Sequence, residues 1–126
     1  MNAVSFRQFA PTKQPDPFRN GPDFWFVMEG RSMHPTIRRD DPVLVAPVNR
    51  YIGEGVYLVD MFGGHQDIWR VEPNFNGGFR LSKDQQHEDG RPIWTHYDLS
   101  KAEFTKVVRG KVWVVASVVD NRFMPQ

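Results

Sequence analysis

The chain contains no cysteine. A disulfide framework, a thiolate zinc site and a cysteine nucleophile are therefore excluded, and a reducing compartment is the natural expectation. Long apolar runs are lacking as well. The longest, VWVVASVV at 112–119, falls far short of the roughly 20 residues a membrane helix needs. The opening MNAVSFRQFAPTKQPDPF has no apolar stretch of the kind a secretory signal carries. A cytoplasmic protein with no membrane contact is expected. An excess of either charge is also missing: 16 basic and 15 acidic residues leave a net charge of +1. Binding nucleic acid through its own surface would call for a basic stripe, and only Arg38, Arg39 and Arg50 fall close together. His65, His87 and His96 show no ligand spacing such as H-E-x-x-H. Neither a metal nor another cofactor is expected.

What is present is ordinary globular material. With 126 residues, 40% apolar and 25% charged, the chain is long enough for one compact core. Its first part differs from the rest. Pro11, Pro15, Pro17 and Pro22 crowd PTKQPDPFRNGP, and proline removes backbone donors, so neither helix nor central strand runs through it. Residues 1–22 read as a proline-rich extended arm and 23–126 as the domain. Phe6, Phe9 and Phe18 give the arm something to bury, against a partner or against its own domain.

Beyond residue 23 the pattern is mainly β. Aromatic and β-branched runs predict strands at 23–29, 42–48 and 55–62. Gly63-Gly64 signals a hairpin leading to a strand at about 66–72. Asn76-Gly77-Gly78 turns the chain into a short strand at about 78–82. The run 104–119 reads as one long strand with a bulge or bend at Gly110. Only 35–40 and 98–104 have room for a helical turn. Short strands with turn signals about every ten residues predict a small all-β barrel or sandwich.

The chemistry concentrates at EGRSMHPTIRRDDPVLV, residues 29–45. A serine hydroxyl is a weak nucleophile and needs an adjacent base, usually His or a neutral Lys. It also needs donors for a developing oxyanion. Gly30 permits a sharp turn that would bring the amides of Arg31 and Ser32 to one place, and Pro35 limits how the chain leaves. A plain reading competes: a serine that merely caps a helical turn.

VMEGRSMHPTI followed by DDPVLV resembles the segment around the nucleophile in the Ser–Lys peptidase-like domains of LexA-type and phage repressors and of UmuD-like proteins. Val27, Gly30, Ser32, Met33, Pro35 and Asp41 match that pattern, while Asp40 stands where many members have glycine. The resemblance continues in order and spacing through EGVYLVDM, DIWRV and FTKVVRGKVWVVASVV, so it spans roughly residues 22–120. It implies a LexA-like C-terminal domain: a small twisted half-barrel of short antiparallel strands with long hairpins. In that family the general base is a lysine in a tetrapeptide like V-K-R-L. Here the tetrapeptide is Ile68-Trp69-Arg70-Val71, with Trp69 at the lysine position. An indole cannot take a proton. A register shifted by one offers Arg70, whose guanidinium stays charged. The arm also lacks the Ala-Gly or Cys-Gly pair that self-cleaving members cut.

The resemblance therefore implies a pseudo-peptidase in which Ser32 is retained without its base and Trp69 fills the cleft or floors a peptide groove. Lys83, Lys106, Lys111 and His34 are the alternatives for a displaced base. Family domains of this kind form homodimers through their C-terminal strands, which makes Val112, Trp113, Val114 and Val118 candidate interface residues; a strand buried on both faces of its own domain explains the same run. The implied role is dimerisation and protein interaction in phage-type or SOS-type transcriptional regulation, with a regulator or antirepressor as protein partner. DNA would be reached only through a helix-turn-helix outside these residues. The alternatives are a free-standing UmuD-like protein that docks on another protein, and an active self-cleaving serine peptidase.

Overall fold

The structure is a computed structural model in which residues 2–8, 19–61 and 63–120 are described. They form β1 (Asn2–Gln8), β2 (Phe24–Val27), β3 (Pro42–Pro47), β4 (Gly55–Asp60), β5 (Gln66–Pro73), β6 (Phe79–Ser82), β7 (His96–Leu99), α1 (Lys101–Val107) and β8 (Val108–Asp120). The strands make one antiparallel sheet in the order β2-β3-β8-β4-β5-β6-β7, with β1 paired to β8. The mainly-β expectation holds. The barrel or sandwich does not: the described residues form one sheet, and it is not closed, because the path ends at β2 and β7.

Strand alternation sends successive side chains to opposite faces, and here both faces are covered. Val56 and Leu58 of β4 and Ile68 of β5 join Met28, Met33, Ile37, Val43, Val45, Val112 and Val115 in a first cluster. Tyr57 and Val59 of β4 and Trp69 and Val71 of β5 join Val48, Phe79, Leu81, Phe104 and Val108 in a second. The segment 28–41 closes the first face; Tyr51, Ile52 and α1 close the second. Burial on both sides is why β4 reads as an unbroken apolar run rather than an alternating one.

The run predicted as a single strand over 104–119 is divided. Phe104–Val107 belong to α1, which starts on a capping box: Ser100 Oγ accepts from Glu103 N at 3.1 Å and the Glu103 carboxylate accepts from Ser100 N at 2.9 Å. Strand β7 lies in a stretch that carried no strand signal.

β8 is an interior strand, with β3 on one side and β4 and β1 on the other. Its bulges fall beside Gly110 rather than on it. Leu44 and Val45 pair with Val114 and Val112, which leaves Trp113 extra; Leu58 and Val59 pair with Gly110 and Val108, which leaves Arg109 extra. Gly110 serves close approach instead. A Cβ there would collide with the Val45 side chain and lie 2.8 Å from Ala46 O. Gly110→Ala is therefore expected to cost about 1–3 kcal/mol or more, as overpacked cores do, read as a lowered urea midpoint at unchanged slope.

Candidate functional site

The Ser32 segment is a loop tied at its base. Met28 N donates to Asp41 O at 3.0 Å and Asp40 N to Met28 O at 2.5 Å. Asp41 is buried, and its Oδ2 accepts from Arg38 N at 2.9 Å. Between these ties the chain turns tightly, with His34 N on Arg31 O at 3.1 Å and Ile37 N on Met33 O at 2.9 Å. Met33 and Ile37, one helical turn apart, are fully buried in the first cluster and pin the loop to the sheet. Asp40 has φ 68°, the left-handed region that glycine enters without strain. Glycine at Gly30 is not required in the same way: its φ is not positive, and a Cβ there would meet nothing within 4 Å. The sharp turn expected of Gly30 is thus supplied by the buried Met33 and Ile37 and by the ties at Met28 and Asp41.

Ser32 is half-buried, Arg31 exposed and Pro35 exposed. Among the described residues, no lysine or histidine hydrogen-bonds Ser32 Oγ, and neither the Arg31 nor the Ser32 amide donates to a protein acceptor. Trp69 is not at the serine loop. It faces the second cluster, 4% exposed, edge-on to Tyr97 at 5.4 Å and beneath Lys83 Nζ at 4.0 Å. The face of β5 on the loop's side presents Ile68 and Arg70. Trp69 therefore neither fills nor floors a cleft beside Ser32, because the β4–β5 register turns its ring to the opposite face.

Arg70 is the centre of a polar network that the sequence did not announce. Its Nε and Nη2 donate to Asp84 Oδ1 at 2.8 Å and Oδ2 at 2.6 Å, and Thr36 Oγ1 donates to Asp84 Oδ2 at 2.6 Å. Burial pushes the Asp84 carboxyl up, but the bonds from Arg70 and Thr36 outweigh it and hold it below the usual carboxylate range. The bidentate partner raises the Arg70 pKa further, so Arg70 is a fixed cation and no base. Thr36, Arg70 and Asp84 border a cavity of about 570 Å³ that Pro35, Trp94 and His96 also line. Trp94, 84% exposed, is the aromatic available there.

The alternative bases are placed elsewhere. Lys83 does reach back across the sheet, but to Asp67 Oδ2 at 2.7 Å and Ile68 O at 2.5 Å. Burial lowers its pKa against the pull of Asp67. Lys111 is buried on the second face, with Ile52 O at 3.4 Å and the Tyr57 ring at 5.6 Å, and burial lowers its pKa too. Lys106 is exposed on α1. His34, half-buried, borders a small cavity with Arg31 and His87. Among the described residues no three His, Asp or Glu are grouped to hold a metal ion, and no helix is long and apolar enough to cross a membrane.

Of the candidate interface residues, Val112 and Val114 are buried within the sheet itself. Trp113 is half-buried, with its Nε1 shielded from solvent and without an acceptor. The Val118 side chain lies outside the described part, as do residues 9–18 of the arm. Exposed apolar side chains occur at Phe75, Trp94 and Tyr97 and at the end strand β2, where Trp25 is 51% and Val27 49% exposed on one face of a strand whose outer edge pairs with nothing among the described residues. Comparison with protein-family models, curated proteins and solved structures finds no match.

Proposed function

We propose that this chain is a catalytically inactive LexA-like domain of the Ser–Lys peptidase type, a twisted half-barrel in which the serine loop survives as architecture. It acts by dimerisation and protein interaction in phage-type or SOS-type transcriptional regulation. The observation that carries this reading is the setting of Ser32. The side of β5 facing its loop offers Ile68 and the permanently charged Arg70, and Lys83 is held by Asp67. The left-handed Asp40 fits the resemblance, since it sits where the family pattern has glycine. The partner surface we favour is β2: an edge unpaired among the described residues, with Trp25 and Val27 exposed, is suited to strand addition.

Wild type and Ser32→Ala are expected to remain full length alike after prolonged incubation at alkaline pH, followed by intact mass. A fragment formed by wild type and absent from the variant overturns the inactive reading. Sedimentation of wild type is expected to show a dimer that Trp25→Lys with Val27→Lys converts to monomer; a wild type that stays monomeric at high concentration rejects the dimer.

A further inference from the structure

Asparagine or aspartate precedes glycine at three places, Asn20-Gly21, Asn76-Gly77 and Asp89-Gly90. Glycine has no Cβ to shield its amide, so that amide can reach the side-chain carbonyl carbon of the residue before it. Three conditions decide whether it does. The side chain must be a neutral amide rather than a carboxylate, the glycine N–H must not be held elsewhere, and the peptide between the two must be free to rotate.

Asn76-Gly77 meets all three. It lies in the β5–β6 turn, with both residues exposed. Asn74 braces the turn from either side: its Oδ1 accepts from Asn76 N and from Gly78 N at 3.0 Å each, and its N donates to Gly78 O at 3.1 Å. The peptide between those ties is untouched. Among the described residues there is no hydrogen-bond partner for Gly77 N, Asn76 O or the Asn76 carboxamide. Gly77 has φ 77°, and nothing lies within 4 Å of where its Cβ would be, so the space beside this peptide is open.

The other two pairs fail. Asp89 offers a carboxylate whose oxygens accept from Arg91 N at 3.1 Å and Arg91 Nε at 2.5 Å, and Gly90 N donates to His87 O at 2.9 Å. Asn20 is tied to β3, its N donating to Pro47 O at 2.6 Å, and Pro22 restricts the chain directly after it at Gly21.

We propose that Asn76 is a self-modifying site that converts to isoaspartate. Gly77 N attacks Asn76 Cγ. The new N–Cγ bond forms, the Cγ–Nδ2 bond breaks, and ammonia leaves with the proton that Gly77 N gives up. Water then opens the succinimide. Addition at the former backbone carbonyl leaves isoaspartate, with the main chain running through the old side chain; addition at Cγ leaves aspartate. Water is the sole co-reactant and ammonia the sole by-product.

Isoaspartate lengthens the main chain by a methylene inside the turn, and the structure shows where that change is felt. Gly78 is buried, and a Cβ there would collide with Leu99 O and lie 3.1 Å from Ser100 Cα, so the turn rests against the start of α1. Phe79, the next residue, belongs to the second cluster and lies 5.0 Å from the Phe104 ring. The modification therefore loosens the end of the hairpin, Phe79 and α1 together, as a slow one-way switch on this face of the sheet. The site shares no residue with the serine loop and stands whether or not the pseudo-peptidase reading does.

The test is peptide mapping of the full chain by mass spectrometry during prolonged incubation at mildly alkaline pH, with the isoaspartyl and aspartyl forms of each peptide separated by chromatography. Asn76 is expected to convert several-fold faster than Asn20, giving isoaspartate beside aspartate, while Asp89 stays unchanged. The isoaspartyl protein, purified from the incubated chain, is expected to unfold at a lower urea midpoint than Asn76→Asp, which adds the same charge without lengthening the chain. Conversion of Asn76 no faster than that of Asn20, or an isoaspartyl form as stable as Asn76→Asp, each overturns the proposal.

Discussion

Replacing Phe104 with alanine is expected to lower the stability by about 3–5 kcal/mol, the usual cost of deleting a buried aromatic ring. Phe104 is fully buried, 5.0 Å from the Phe79 ring and edge-on to Tyr57 at 5.6 Å. It is also the buried residue of α1, and a helix of 7 residues has no stability of its own in water. Removing the ring therefore leaves a cavity and releases the helix together. Against a total of roughly 5–15 kcal/mol for a domain, the variant should be partly unfolded at modest temperature. Urea denaturation gives the size of the loss. Phe104→Leu separates the two causes: it keeps an apolar anchor for α1 and should cost about 1.5 kcal/mol or less if docking dominates. A Phe104→Ala midpoint within error of wild type would mean that α1 contributes nothing to the second cluster.

That helix also shows where sequence and structure part. Ser100 and Glu103 have the spacing of a capping box, so the helix start was legible. Phe104 and the valines after it read equally as a strand, and the choice between the two periods rests on Tyr57 and Phe79, which lie far away in sequence. Strands β2 to β6 were legible because β-branched runs and glycine turns agree locally; Gly63, Gly64 and Gly77 all have positive φ where a turn was predicted. β7 was not, since its His96–Leu99 are mostly exposed and are held as a strand by pairing with β6. The serine loop could be recognised from Met33, Ile37 and Asp41. The face taken by Trp69 could not, because a single residue of register reverses it and the register is fixed by pairing with β4. Asp84 escaped notice for a related reason: Thr36, Arg70 and Asp84 come from three separate segments and share no motif.

Asp67→Ala is expected to cost about 3 kcal/mol near neutral pH, at the lower end of what breaking a buried ion pair costs. The Lys83 side chain is 6% exposed, with Asp67 Oδ2 at 2.7 Å as its counterion. Without that carboxylate, Nζ retains Ile68 O and the face of Trp69 among the described residues. Asp67 itself is 29% exposed, so water replaces part of what is lost, which sets the estimate at the lower end. The pH dependence gives a signature that loss of packing cannot mimic. Burial already holds the Lys83 pKa in the folded protein below its ordinary value, with Asp67 acting in the opposite direction. Removing Asp67 lowers the folded value further. Between the folded value and the unfolded one the unfolded chain binds more protons, so stability rises with pH across that window, and the window begins lower in the variant. The deficit of Asp67→Ala relative to wild type should accordingly be greatest near neutrality and shrink as pH approaches the lysine range. Lys111 and Tyr57 titrate in both proteins and cancel in the difference. Urea midpoints of the two proteins, compared near neutrality and at alkaline pH, check this directly. Lys83→Met in the Asp67→Ala background completes the cycle: an apolar chain of similar length over Trp69 should restore most of the loss. A deficit independent of pH, or one that Lys83→Met leaves untouched, would place the role of Asp67 in its bond to Ile68 N at 2.8 Å rather than in holding a buried cation.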